Sequence, residues 1–171
     1  MYVCEKCRKY VEVRGESLRY SGVVRKLIKE IKYRGSWDMV AELVELWEER
    51  VGLEFGGGVV TAVPMWETKR KLRGYNQAEL IAKELAKRWE IPYKELLIRT
   101  RETKPMYGLK RSERIENVRG AFKLNSKQEI TNSKIVVLVD DVWTSGATMK
   151  ECARILSQAG WGKIIQLAIA S

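Results

Sequence analysis

An apolar run that stops at two adjacent acids and passes into a hydroxyl-rich, glycine-containing segment constrains this chain more than any other feature. Ile135 to Val139 reads as the strongest buried strand in the sequence, and Asp140 and Asp141 stand at its end. Thr144-Ser-Gly-Ala-Thr148 then opens a helix whose inward face is Met149, Cys152, Ala153 and Leu156, closing at Gly160. Ionised carboxylates are pure acceptors, so a pair suits vicinal hydroxyls, and a bend at the strand end is expected to let both acids reach one ligand. The backbone N–H groups at a helix N-terminus form an anion site. Gly146 permits close backbone approach there, Ala147 adds its N–H, and Thr144, Ser145 and Thr148 add hydroxyls. Acceptors for sugar hydroxyls beside donors for a phosphate are the layout that a ribose 5-phosphate group requires.

A helix cap alone would need neither the two acids nor the three hydroxyls. A nucleotide-hydrolase strand also ends in acids, but its G-x-x-x-x-G-K-[ST] partner is missing, and so is a G-x-G-x-x-G fingerprint. The chain has no histidine, which excludes Ser-His-Asp and Cys-His catalysis and histidine metal sites. The formal net charge of +10 over 171 residues points to an anionic partner or to a lysine- and glutamate-rich surface with a basic excess. No apolar run is long enough to span a bilayer and no signal-peptide pattern opens the chain, so no membrane insertion and a cytoplasmic location are expected.

The chain reads as one domain with a small appendage. Residues 1–18 form a short N-terminal segment with Cys4 and Cys7, and residues 19–171 form the main unit, a helical section over 19–55 and a core over 59–171. The helical stripes are Val24, Leu27, Ile28 and Ile31, then Val40, Leu43, Val44, Trp47 and Val51. After the break Phe55-Gly-Gly-Gly58, Val59–Val63 reads as a strand, 64–76 as a polar basic loop, 77–89 as a helix and Leu96–Ile98 as a short strand. Residues 99–119 have no clear assignment, and 163–170 reads as the last strand. Strands alternating with helices imply a parallel sheet, whose ligands bind beyond the carboxyl ends of the strands.

The loops leaving those ends are 64–76 and 140–147. The first holds Lys69, Arg70, Lys71 and Arg73, followed by Gly74 for a turn, and is a candidate pyrophosphate site. The segment Arg99 to Phe122, with Arg101, Arg114 and Asn117, reads as a lid or as a surface insertion. Trp66, Tyr75 and Tyr107 sit among the basic residues, where they serve either packing or the stacking of bases.

The run Val137-Leu-Val-Asp-Asp-Val-Trp-Thr-Ser-Gly-Ala-Thr148 resembles the phosphoribosyl pyrophosphate signature of the type I phosphoribosyltransferases. Together with Arg73-Gly-Tyr-Asn-Gln77, the spacing from Arg99 through Thr103 to Phe122, and Lys32-Tyr-Arg-Gly35, it is similar to the ComF family of competence-associated proteins linked to DNA uptake. The resemblance implies an α/β fold: a type I phosphoribosyltransferase-like parallel sheet flanked by helices, with an N-terminal helical section. It implies that Asp140 and Asp141 contact the ribose, that Thr144 to Thr148 wrap the 5′-phosphate, and that Lys69, Arg70, Arg73 and Gly74 take the pyrophosphate. Asp140, Asp141 and Arg73 are the implied catalytic set, and magnesium is expected near the two aspartates, held mainly through the ligand rather than by a protein cage. The implied activity is phosphoribosyl transfer to an unidentified nitrogen acceptor; the alternative is a non-catalytic competence factor that binds single-stranded DNA. An oligomer is compatible with either. The sequence departs from the family at Met106, where a glutamine is usual, and at its N-terminus, where Cys4 and Cys7 are half of a four-cysteine zinc module. Two cysteines without histidine cannot complete a zinc site within one chain, so the pair is either vestigial or shared between two chains.

Overall fold

The alternating pattern folds into a sheet covered on both faces, in the computed structural model that describes residues 13–14, 16–53, 55–106, 108–126 and 135–171. In chain order the elements are β1 (Val13–Arg14), β2 (Ser17–Leu18), α1 (Gly22–Arg34), α2 (Asp38–Val51), β3 (Val59–Ala62), α3 (Glu67–Arg73), α4 (Gln77–Arg88), β4 (Leu97–Arg99), α5 (Arg111–Val118), β5 (Phe122–Leu124), β6 (Ile135–Val142), α6 (Ala147–Gln158) and β7 (Lys163–Ala170). Cys4, Cys7 and Tyr107 lie outside the described residues.

The main sheet has the order β1-β2-β7-β6-β3. Its central strands are parallel, with Val59 opposite Val136 and Ile135 opposite Lys163, and β2 joins β7 in the same sense through Leu18 and Ala170. Beyond β3, the chain around Tyr93 bridges Val60 in parallel. Side chains alternate across β6, and the sheet separates two cores accordingly. Val137 and Val139 pack with Leu27, Ile31, Leu43, Ile81 and Leu85 of α1, α2 and α4. Val136 and Leu138 pack with Leu97, Phe122, Met149 and Leu156 of the other face. The helical section is therefore one wall of the sheet, as its apolar stripes require.

Three readings change in detail. The basic loop contains a helix, α3, none of whose residues is buried, so it shows no apolar stripe. Residues 111–118 form α5, with only Val118 buried, between the antiparallel strands β4 and β5. The strand expected to stop at Val139 runs on regularly to Val142, with Asp140 opposite Ala168 and Val142 opposite Ala170. The N–H of Trp143 still donates to Ala170 O at 2.7 Å, so the chain leaves the sheet only at Thr144.

Candidate functional site

Because β6 continues through both acids, alternation starts Asp140 and Asp141 from opposite faces of the sheet, yet at the strand end the two carboxyls stay within hydrogen-bonding reach of each other. Asp141 shares the face of Val137 and Val139 and is buried. There its Oδ2 meets Lys32 Nζ from the last turn of α1 at 2.6 Å, and this oxygen has no further hydrogen-bond partner. Burial opposes the charge of Lys32, but the Asp141 carboxylate outweighs it, and the ammonium is held above its ordinary range. Asp140 shares the face of Val136 and Leu138, and its Oδ1 accepts from the N–H of Asp141 at 2.8 Å. Burial and then repulsion by Asp141 push the Asp140 carboxyl up to about 8, against the pull of that N–H and of Lys32. Lys32 is the residue that the sequence reading left without a role. Its signal was its place four residues after Ile28, a charge on the rim of a buried stripe.

The turn after β6 depends on Gly146. Its φ is +72°, and a Cβ there would lie 2.5 Å from the Trp143 ring. Gly146 is also the N-cap of α6 and supplies no side-chain cap, so the first-turn N–H groups at Ala147 and Thr148 have no capping oxygen from the cap residue. Thr144 is exposed, while Ser145 and Thr148 are half-buried. A cavity of about 470 Å³ opens beside Trp143 and Thr144, walled by Ser17, Ala168 and Ser171, with the buried Gln166 Oε1 lacking a hydrogen-bond partner.

The second loop is joined to the first directly, because the N–H of Val63 donates to Val139 O at 2.9 Å. The helix α3 ends at Gly74, whose φ is +84° and whose N–H donates to Arg70 O. Asn76 then caps α4 by accepting from the N–H of Ala78 and donates from its side chain to Val63 O. Lys69 is exposed. Arg70 is paired to Glu79 at 3.0 Å and Glu95 at 3.4 Å, at the mouth of a groove of about 290 Å³ that Tyr93 and Arg99 also line. Lys71 pairs with Glu67. Arg73 donates to Gln77 Oε1 and lies 5.6 Å over the Tyr33 ring. Tyr75 is buried and donates its hydroxyl to Ile31 O, so it packs and offers no stacking face; Trp66 is half-buried.

The segment read as a lid or a surface insertion carries hydrogen bonds among its own polar residues. Asn117 accepts from the N–H of Lys104 at 3.0 Å and donates to Lys104 O at 2.9 Å, while its amide also meets Met106 Sδ at 3.7 Å, at the position where the family usually has glutamine. Arg101 donates to the carbonyls of Asn117 and Arg119, and Arg114 to that of Leu109. Arg99 reaches Thr103 Oγ1 and lies over the Phe122 ring at 5.4 Å; its Nε is buried without a partner, and burial holds its guanidinium below its ordinary range.

Among the described residues no three carboxylate, thiol or imidazole groups gather to hold a metal. Asp140 and Asp141, two carboxyls at one strand end without a third ligating group, fit a cation that brings its own ligand oxygens better than one caged by protein. Cys152 is fully buried, and burial raises its thiol well above the ordinary range, so it is a packing residue. No helix among the described residues is long and apolar enough to cross a membrane.

The phosphoribosyl transferase domain family matches residues 75–170, which include β6, the loop after it and α6. "Competence protein F" of Haemophilus influenzae is 32% identical over 59% of this chain and 44% of its own length. "DNA utilization protein YhgH" of Escherichia coli O6:H1 is 28% identical over 82% of this chain and 64% of its own. "Competence protein ComFC" of Bacillus subtilis is 24% identical over 82% of this chain and 56% of its own. The chain thus spans less than two thirds of the length of each of these relatives. With the family matched across the sheet-and-loop unit and these relatives alongside it, the chain belongs to the phosphoribosyl transferase domain family and, within it, to the ComF proteins.

Proposed function

We propose that this protein binds phosphoribosyl pyrophosphate with magnesium and transfers the phosphoribosyl group to a nitrogen acceptor. The observation that carries the reading is the junction of β6 and α6: two acids, three hydroxyls and a helix N-terminus without a side-chain cap follow one another within nine residues, Asp140 to Thr148. Asp140 and Asp141 take the ribose hydroxyls, and the 5′-phosphate sits on the N–H groups and hydroxyls of Thr144, Ser145, Gly146, Ala147 and Thr148. Lys69, Arg73 and the Gly74 turn take the pyrophosphate, and Arg70 joins them by leaving Glu79 and Glu95. Catalysis is positioning and charge neutralisation by the basic loop as pyrophosphate leaves; a magnesium ion held near Asp140 and Asp141 would supply further neutralisation of the leaving group. The cavity beside Trp143 gives the acceptor its approach. Calorimetry with phosphoribosyl pyrophosphate and magnesium tests the binding step. The Asp140→Asn, Asp141→Asn protein is expected to lose the binding heat, and unchanged affinity in that folded protein removes the ribose assignment. Release of pyrophosphate in the presence of a panel of bases and amines tests turnover.

A second reading, a competence factor that binds single-stranded DNA, is favoured by one surface feature. Tyr33 and Trp37 are 72% and 58% exposed, and Arg73 of the basic helix lies over the Tyr33 ring. Rings beside cations suit stacked bases and backbone phosphates. Single-stranded DNA affinity is then expected to fall steeply with salt, and an absence of binding at low salt removes the reading.

A further inference from the structure

The last turn of α1 touches both halves of the candidate site. Ile31 O accepts the Tyr75 hydroxyl, the Tyr33 ring lies under Arg73, and Lys32, between them, reaches Asp141. Just beyond, the Trp37 ring meets Tyr75 edge-on at 5.6 Å. The turn is thus fastened to the basic loop on both sides of Lys32. This leaves the ammonium little freedom except to sit on the face of β6 where alternation puts Asp141. A second observation bears on what it does there. Asp141 is buried, and its Oδ2 has Lys32 as ion partner and no hydrogen bond besides. A buried carboxylate oxygen whose one partner is an ammonium is oriented by that ammonium, because each unmade bond in such a place is costly.

We infer that Lys32 is the positioning residue of the site: it fixes the rotamer of Asp141 and so presents the other carboxylate oxygen to the ribose hydroxyls, while the turn around it sets the spacing between the ribose and pyrophosphate halves. The inference rests on the ribose assignment above and assigns part of the site to the helical section, outside the strand-loop-helix unit. Lys32 itself does not touch the ligand. Its effect is selective, bearing on the sugar through Asp141 and leaving the pyrophosphate loop unaltered. A plain structural ion pair would weaken or spare both ligand halves together.

The test uses the whole chain and two probes, ribose 5-phosphate and inorganic pyrophosphate, each with magnesium. In Lys32→Met, ribose 5-phosphate affinity is expected to fall about ten-fold or more, the loss of a charged hydrogen-bonding arrangement, with pyrophosphate affinity unchanged. Lys32→Arg restores ribose 5-phosphate binding. Equal loss of both probes, or of neither, in the folded variant overturns the inference. Side-chain carbon NMR of the wild-type protein, read at the aspartate carboxyls and the lysine Cε, needs no variant to fold. Ribose 5-phosphate is expected to shift the Asp141 carboxyl and the Lys32 side chain together, and pyrophosphate to shift neither. A sugar-induced shift at Asp140 without one at Asp141 or Lys32 also overturns it. If the wild-type protein binds neither probe, the phosphoribosyl reading fails. The positioning of Asp141 is then read without ligand, from a carboxyl resonance displaced in Lys32→Met and restored in Lys32→Arg; an undisplaced resonance overturns it.

Discussion

Lys32 Nζ lies 2.6 Å from Asp141 Oδ2, joining the last turn of α1 to the carboxyl end of β6. Both groups are largely out of water, with 24% and 8% of their side chains exposed. Taking one partner away leaves the other charge buried, whereas removing both returns an apolar contact. Lys32→Met is expected to lower the unfolding free energy by about 3 kcal/mol, and the Lys32→Met, Asp141→Leu double variant to recover most of it. Urea titrations of the three proteins check this. A double variant as unstable as the single one would show that the loss is packing rather than charge.

Gly146 combines a left-handed backbone with a missing side chain. Gly146→Ala is expected to destabilise the fold by about 1–3 kcal/mol, since the new methyl group has both strain and the Trp143 ring to accommodate. Trp143→Ala introduced with it removes the clash but leaves the positive φ, so recovery should be partial. Full recovery in thermal melts would mean that the backbone angle costs nothing.

Asn117 closes the insertion between β4 and β5 on itself through its bonds to Lys104. These bonds are exposed, each contributing on the order of 1 kcal/mol. Asn117→Ala is therefore expected to speed amide exchange and tryptic cleavage within residues 100–121 while leaving the global melting temperature nearly unchanged. A matching drop in global stability would mean that the insertion unfolds only with the core.

The raised Asp140 carboxyl gives stability a definite pH dependence. Its folded value of about 8 lies above the ordinary carboxylate range, so between the two the folded protein holds a proton that the unfolded chain has released. This contribution is full at acid pH, below the unfolded value, and is lost as pH rises toward 8. The slope from this group is at most about 1.4 kcal/mol per pH unit. Asp140→Asn is expected to flatten the decline, as measured by urea midpoints from pH 5 to 8.5. A parallel decline in the variant would assign it to other groups. Ligand affinity should run the opposite way, rising toward pH 8, because the ribose hydroxyls need the ionised acceptor.

Much of the site was legible because it is local. Asp140 to Thr148 are contiguous, so chain order alone places acids, hydroxyls and a helix N-terminus together, and the apolar runs around them identify strand and helix. The stripes of α1, α2, α4 and α6 were legible for the same reason: each buries one face, and burial writes a period of 3.6 into the sequence. The short helices α3 and α5 bury almost nothing and rest on local pairs such as Glu67 with Lys71 and the N–H of Lys110 with Glu113, so periodicity could not reveal them.

What the tertiary structure alone decided is who faces whom. Pairing of β6 with β7 carries the strand past Val139, so that Asp141 turns toward Lys32 while Asp140 leaves the strand from its other face. Arg70, one cation among several in the sequence, is committed to Glu79 and Glu95 because β3 sets the loop against α4 and the segment before β4. Lys32 reaches Asp141 because α1 lies across the sheet face that Val137 and Val139 make apolar. Local order fixes which groups the strand end offers a ligand. Packing between distant segments decides how each of those groups is turned and charged, because both the partner and the burial come from elsewhere in the chain.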